Sequence, residues 1–87
     1  MAAPGAAVAV SQPCDQRDNV LGLLAERYHE RPIAVGVTSE GSLVEVLTDA
    51  KGGTWTIIVT SPEGMSCLVL SGEGWQAKLQ VAQDPEA

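Results

Sequence analysis

Two cysteines, Cys14 and Cys67, stand 53 positions apart in a chain of 87 residues. The separation is far from the CxxC spacing of redox pairs, and with His29 as the single histidine the set is too small for a zinc site. In a short chain such a pair reads as one structural bridge. Closing a loop of this length contributes on the order of 4 kcal/mol, acting through the unfolded state. A domain of this size buries only roughly 60–65% of the surface its unfolded chain exposes, so a covalent staple weighs heavily in its stability.

Between the two cysteines the hydrophobic period changes once. Val20, Leu21, Leu24, Ala25 and Tyr28 recur at spacings of three and four, which predicts an amphipathic helix. Asp15 is placed to cap its start, Asp18 to meet the positive end of its dipole, and Arg27 and Arg31 to meet the negative end. Pro32 forbids its continuation. From Ile33 onward the period is two. Strands are expected over 33–38, 43–48, 54–60 and 65–71, separated by the turns Ser39–Ser42, Asp49–Gly53 and Ser61–Gly64. Such short links make hairpins and an antiparallel meander. Gly72-Glu73-Gly74 ends the sheet, and Trp75–Val81 forms a short final element. Phe is absent, so branched aliphatics build the core, and their stiff side chains suit a pleated surface.

The expected fold is therefore α+β: one N-terminal amphipathic helix packed on a four-stranded antiparallel meander, stapled by a disulfide. Residues 14–81 form this single domain, 82–87 a frayed tail, and 1–13 a flexible head. The head's small, apolar composition fits the remnant of a removed export signal, or else a plain linker. Cys67 alternates with Met65 and Val69, and Cys14 precedes the helix. A bridge between them then implies that this face lies under the helix, with Trp55, Ile57 and Val59 as inward partners. Ile58, Leu68 and Leu70 are left on the other face, which is either a solvated surface or a docking surface. Trp75 is a second candidate anchor, and its alternative role is to cap the open end of the sheet.

Several function classes find no support. Eleven acids against five bases give a net charge of −6, which disfavours nucleic acid and anionic membrane surfaces. No window reaches the 18 apolar residues of a membrane span. His29 beside Tyr28 and Glu30 at the helix end reads as an exposed or capping residue rather than a base, and no nucleophile, paired carboxylates or phosphate loop stands out. No cofactor and no catalytic residue is implied.

The runs Arg17-Asp18-x-Val20-Leu21-x-x-Leu24-Ala25-x-Arg27-Tyr28-x-Glu30, Leu43-Val44-Glu45-Val46, Gly53-Thr54-Trp55-Thr56-Ile57, Pro62-x-Gly64-x-Ser66-Cys67-Leu68 and Gly72-Glu73-x-Trp75 resemble a family of short exported bacterial proteins. Those proteins carry a signal peptide and have no assigned function. The resemblance spans Cys14 to about Trp75. It implies export and a paired use of the two cysteines, and it carries over no binding residue.

Two functional expectations follow. One is a periplasmic or secreted interaction module of the bacterial envelope, paired with another protein or with a second copy of itself. The other is a periplasmic protein that binds a small ligand in a pocket between helix and sheet.

Overall fold

The segment expected to open the helix is a strand. In the computed structural model, which describes residues 12–78, Cys14–Gln16 forms strand β1. It pairs antiparallel with the last strand, Cys14 directly opposite Cys67. The disulfide joins this pair, with Cα atoms 4.0 Å apart. The Leu68 amide donates to the Pro13 carbonyl and the Arg17 amide to the Gly64 carbonyl, at 2.9 and 3.1 Å, extending the pairing on either side.

Helix α1 follows at once as Arg17–Tyr28. Asp15 falls one residue short of capping it. The N-cap is Gln16, in extended conformation and without a side-chain cap. The Asp15 carboxylate instead accepts from the Asn19 side chain at 3.1 Å and the Gln16 amide at 2.6 Å. These bonds, Asn19 first, favour the charged form and hold its carboxyl below the usual range. Asp18 does lie in the first turn. The other end closes before Pro32 is reached. His29 adopts the left-handed conformation (φ 57°, ψ 33°), and the His29 and Glu30 amides bond back to the Ala25 and Leu24 carbonyls. The chain reverses and enters β2, Arg31–Val37, with Pro32 as its second residue.

Strands β3 (Leu43–Thr48), β4 (Thr54–Thr60) and β5 (Met65–Glu73) complete the expected meander. With β1 added beside β5, the sheet has five antiparallel strands in the order β1-β5-β4-β3-β2. Its two edges are thus the three-residue β1 and the seven-residue β2. The last proposed element begins with an irregular segment at Trp75, and its end at Val81 lies outside the described residues.

The helix covers the face opposite to the one expected. Val20 and Leu24 pack with Leu47 and Ile58 in a fully buried cluster, flanked by Leu21 and Leu68. Register places Glu45, Ile58 and Leu68 in one cross-strand row, and Leu43, Thr60 and Ser66 in another, all on this covered face. Val44, Val59 and Cys67 form a row on the outer face, as do Val46, Ile57 and Leu70. The expectation took a bridge to Cys14, just before the helix, to draw the Cys67 face under the helix. Within a strand opposite Cys67, Cys14 points to the same side as its partner, and that side faces away from α1.

The covered face is the more polar of the two. Glu45, Thr56, Thr60 and Ser66 are all buried beside the apolar cluster. A pairing rule based on apolarity alone assigns them to solvent. They are stable inside because partners are supplied: Thr60 Oγ1 and Ser66 Oγ share a 2.6 Å hydrogen bond, and Glu45 is held by Arg17.

Candidate functional site

The four candidate interaction residues, Ile58, Leu68, Leu70 and Trp75, are distributed over three environments. Ile58 is fully buried under α1, and the partly buried Leu68 packs against the same cluster, so neither stands on an uncovered sheet face. Leu70 alone is exposed, and it lies on the outer face. Leu68 and Leu70 part company because the β4–β5 register shifts between Ile57 and Ile58. Leu68 opposes Ile58, Leu70 opposes Ile57, and Val69 is the extra residue. A bulge inverts the alternation on which the common face was predicted.

Trp75 is half-buried against Trp55, with ring centroids 5.9 Å apart and planes tilted by 55°. Two backbone approaches hold it there. Its amide donates to the Gly52 carbonyl at 2.9 Å, and the Gly74 amide to that of Gly53 at 3.1 Å. Gly52 has φ +73°, and a Cβ there would lie 2.6 Å from the Trp75 carbonyl oxygen. The Trp55 ring in turn crosses Gly72, where a Cβ would come within 2.8 Å of it. Trp75 thus caps the β3–β4 turn rather than standing free.

An ion pair fixes the start of the helix on the sheet. Arg17 donates from Nε to Glu45 Oε1 at 3.1 Å and from Nη2 to Oε2 at 2.8 Å. The forked geometry matches guanidinium to carboxylate. It holds the Arg17 guanidinium above its ordinary range, chiefly through the hydrogen bonds to Glu45. A cation in the first turn opposes the helix dipole, so the residue's place is explained by Glu45 and not by the helix.

Beyond this ion pair the helix leaves β2 bare. Every residue of β2 is exposed, and Ile33, Val35 and Val37 show 51%, 64% and 72% of their surface to solvent. Val35 pairs with Glu45 and Val37 with Leu43, so both lie on the helix side of the sheet, beyond the helix. From Pro32 to Val37 the strand carries no charge. Pro32 was the signal for this in the sequence, since proline within a strand run is confined to edges, first positions or bulges. The β2–β3 register does shift between Pro32 and Ala34.

At the far end of the helix lies a cavity of about 250 Å³ between α1 and the ends of β4 and β5. Leu24, Tyr28 and Leu68 contribute apolar walls, and Glu30 and Glu73 its charges. Glu30 is 2% exposed. Its Oε2 accepts from Thr54 Oγ1 at 2.7 Å, while Oε1 has no hydrogen-bond partner. Nothing in the sequence distinguishes Glu30 from the solvated acids around it.

His29 occupies the helix cap and is exposed. Among the described residues no three His, Cys, Asp or Glu side chains gather as a metal site would require. No described helix is long and apolar enough to cross a membrane. In comparison with known proteins the chain matches no protein family, no curated protein and no solved structure.

Proposed function

We propose that the protein is a small exported interaction module of the bacterial envelope, and that it works by pairing strand β2 with the β2 of a second copy. The carrying observation is the exposed edge strand β2, uncharged over its last six residues, Pro32–Val37, with three half-bare to mostly bare aliphatics. An edge strand offers a row of unsatisfied backbone donors and acceptors, and proteins that do not use such an edge blunt it with charge or shorten it. The opposite edge is short and covalently stapled. The long one has Arg31, Pro32 and the register shift that follows them, all at its start, and nothing of the kind from Ala34 to Val37.

A second copy suits this edge. Antiparallel pairing about a two-fold axis normal to the sheet joins two five-stranded sheets and keeps both helices on the same side. The Val35/Val37 stripes then lie beside each other, shielded by the two helices. For a chain of net charge −6, a neutral contact strip is where two copies can approach without repulsion. The outer face competes less well, because its exposed apolar residues, Ala34, Met65 and Leu70, lie on separate strands, while Val44, Val46, Ile57 and Val59 are already partly buried by their neighbours. The area involved is small, so association is weak and concentration-dependent. The disulfide supports an oxidising compartment, periplasmic or extracellular, as the place where this happens.

Sedimentation equilibrium tests the reading. The wild-type protein shows a monomer–dimer equilibrium, and Val35→Lys, a substitution at an exposed position, shifts it to monomer with an unchanged circular dichroism spectrum. A wild-type protein that stays monomeric at millimolar concentration, or a Val35→Lys variant that dimerises equally, sinks the proposal.

A further inference from the structure

We infer that the cavity at the C-terminal end of α1 is a binding site for an alkylammonium group, held by Glu30. Three observations converge there. The first is the Glu30 carboxylate, which is buried and only half-satisfied, with Thr54 on Oε2 and nothing on Oε1. A buried carboxylate oxygen without a donor is costly, and a charge-assisted donor removes that cost. The second is the charge balance of the lining: Glu30 and Glu73 contribute to it, and no Lys, Arg or His does. An anion or a neutral acceptor is therefore excluded by repulsion, and a cationic donor is selected. The third is the rest of the wall. Leu24, Leu68 and the ring of Tyr28 are suited to methylene groups, and an aromatic ring also attracts a cation through its face.

Size narrows the class. Pockets for drug-sized ligands run from roughly 300 to 1,000 Å³. At about 250 Å³ this cavity is matched to one short alkyl chain with a polar head. A hydrated divalent cation would leave the apolar walls unused. A primary ammonium on three or four methylenes uses both, its head on Glu30 Oε1 and its stem along Leu24 and Leu68. The same chemistry is offered by a free aliphatic amine and by a lysine side chain of another protein.

The site is independent of β2. Glu30 directly precedes β2, but no residue of β2 lines the cavity, which otherwise draws on α1, β4 and β5, so a failure of the edge-pairing reading leaves it untouched, and the reverse also holds.

The test is an amide-shift titration by nuclear magnetic resonance, with butylammonium chloride as the probe and 1-butanol as its uncharged counterpart. Saturable shifts at Leu24, Thr54, Leu68 and Ser71 with butylammonium, and none with butanol, are expected. Glu30→Gln keeps the shape of the side chain and removes its charge, and it weakens binding by at least about tenfold. Should Glu30→Gln fail to fold, Glu73→Gln at the exposed side of the cavity serves instead, with a smaller loss. A lysine-containing peptide that binds more tightly than butylammonium identifies a protein side chain as the source, and equal binding identifies a free amine. No saturable shift with butylammonium, equal shifts with butanol, or undiminished binding in both glutamine variants overturns the inference.

Discussion

Replacing Arg17 by Met separates what holds α1 on the sheet from what merely accompanies it. The substitution keeps the apolar stem and removes the guanidinium, leaving Glu45 at 3% exposure with neither of its two hydrogen bonds. Stranding a buried partner of an ion pair costs roughly 3–5 kcal/mol when both groups are fully desolvated. Here the Arg17 side chain is 38% exposed, so water already screens the pair and follows into the vacated space. The expected cost is therefore reduced to about 2–3 kcal/mol. Glu45→Leu is the milder half of the cycle, at about 1 kcal/mol or less, because a part-exposed Arg17 turns to solvent. In the double variant both penalties vanish together, and stability returns to within about 1 kcal/mol of wild type. Urea unfolding followed by far-ultraviolet circular dichroism, with the disulfide intact, reads all four corners. An Arg17→Met cost below about 0.5 kcal/mol, or strict additivity in the double variant, refutes the view that this pair is desolvated and coupled.

Three further outcomes follow from the same structure. Gly52→Ala places a Cβ against the Trp75 carbonyl at a residue with φ +73°, so it costs about 1–3 kcal/mol and frees Trp75, seen as a red-shifted tryptophan emission. His29→Gly relieves the left-handed helix cap and raises stability by about 0.5–1 kcal/mol in the same urea assay, whereas an unchanged midpoint removes the argument that the cap is strained. Reduction of Cys14–Cys67 lowers stability by on the order of 4 kcal/mol, read as a lower melting temperature with reductant present, and the Cys14→Ser/Cys67→Ser variant is insensitive to reductant.

The parts legible in the sequence were those governed by local period. The α1 stripe of Val20, Leu21 and Leu24, the three hairpin turns and the strands they separate follow from spacing and turn chemistry alone. The cysteine pairing followed from counting. What escaped was whatever depended on tertiary pairing. Asp15 has the chemistry of a helix cap, but pairing with Ser66 across the β1–β5 ladder claims it for a strand. That one displacement reversed the face assigned to Cys14, and with it the roles of Ile58 and Ile57.

The candidate site was harder still to read. Leu68 and Leu70 share parity, and only the bulge at Val69 sends them to opposite faces. Glu30 and Glu45 are ordinary acids in the sequence. Their burial depends on Thr54 and Arg17, which lie 24 and 28 positions away. The openness of β2 was foreshadowed by Pro32, yet the exposure of Val35 and Val37 is set by how far α1 reaches across the sheet, a quantity no local pattern encodes.

The pairing of β2 with its own copy is tested most directly by isotope-filtered nuclear magnetic resonance on an equal mixture of labelled and unlabelled protein at millimolar concentration. Intermolecular contacts between the methyl groups of Ile33, Val35 and Val37 and the same strand of the other copy are the predicted result. Their absence, or intermolecular contacts arising from Leu70 and Val59 on the outer face instead, contradicts it.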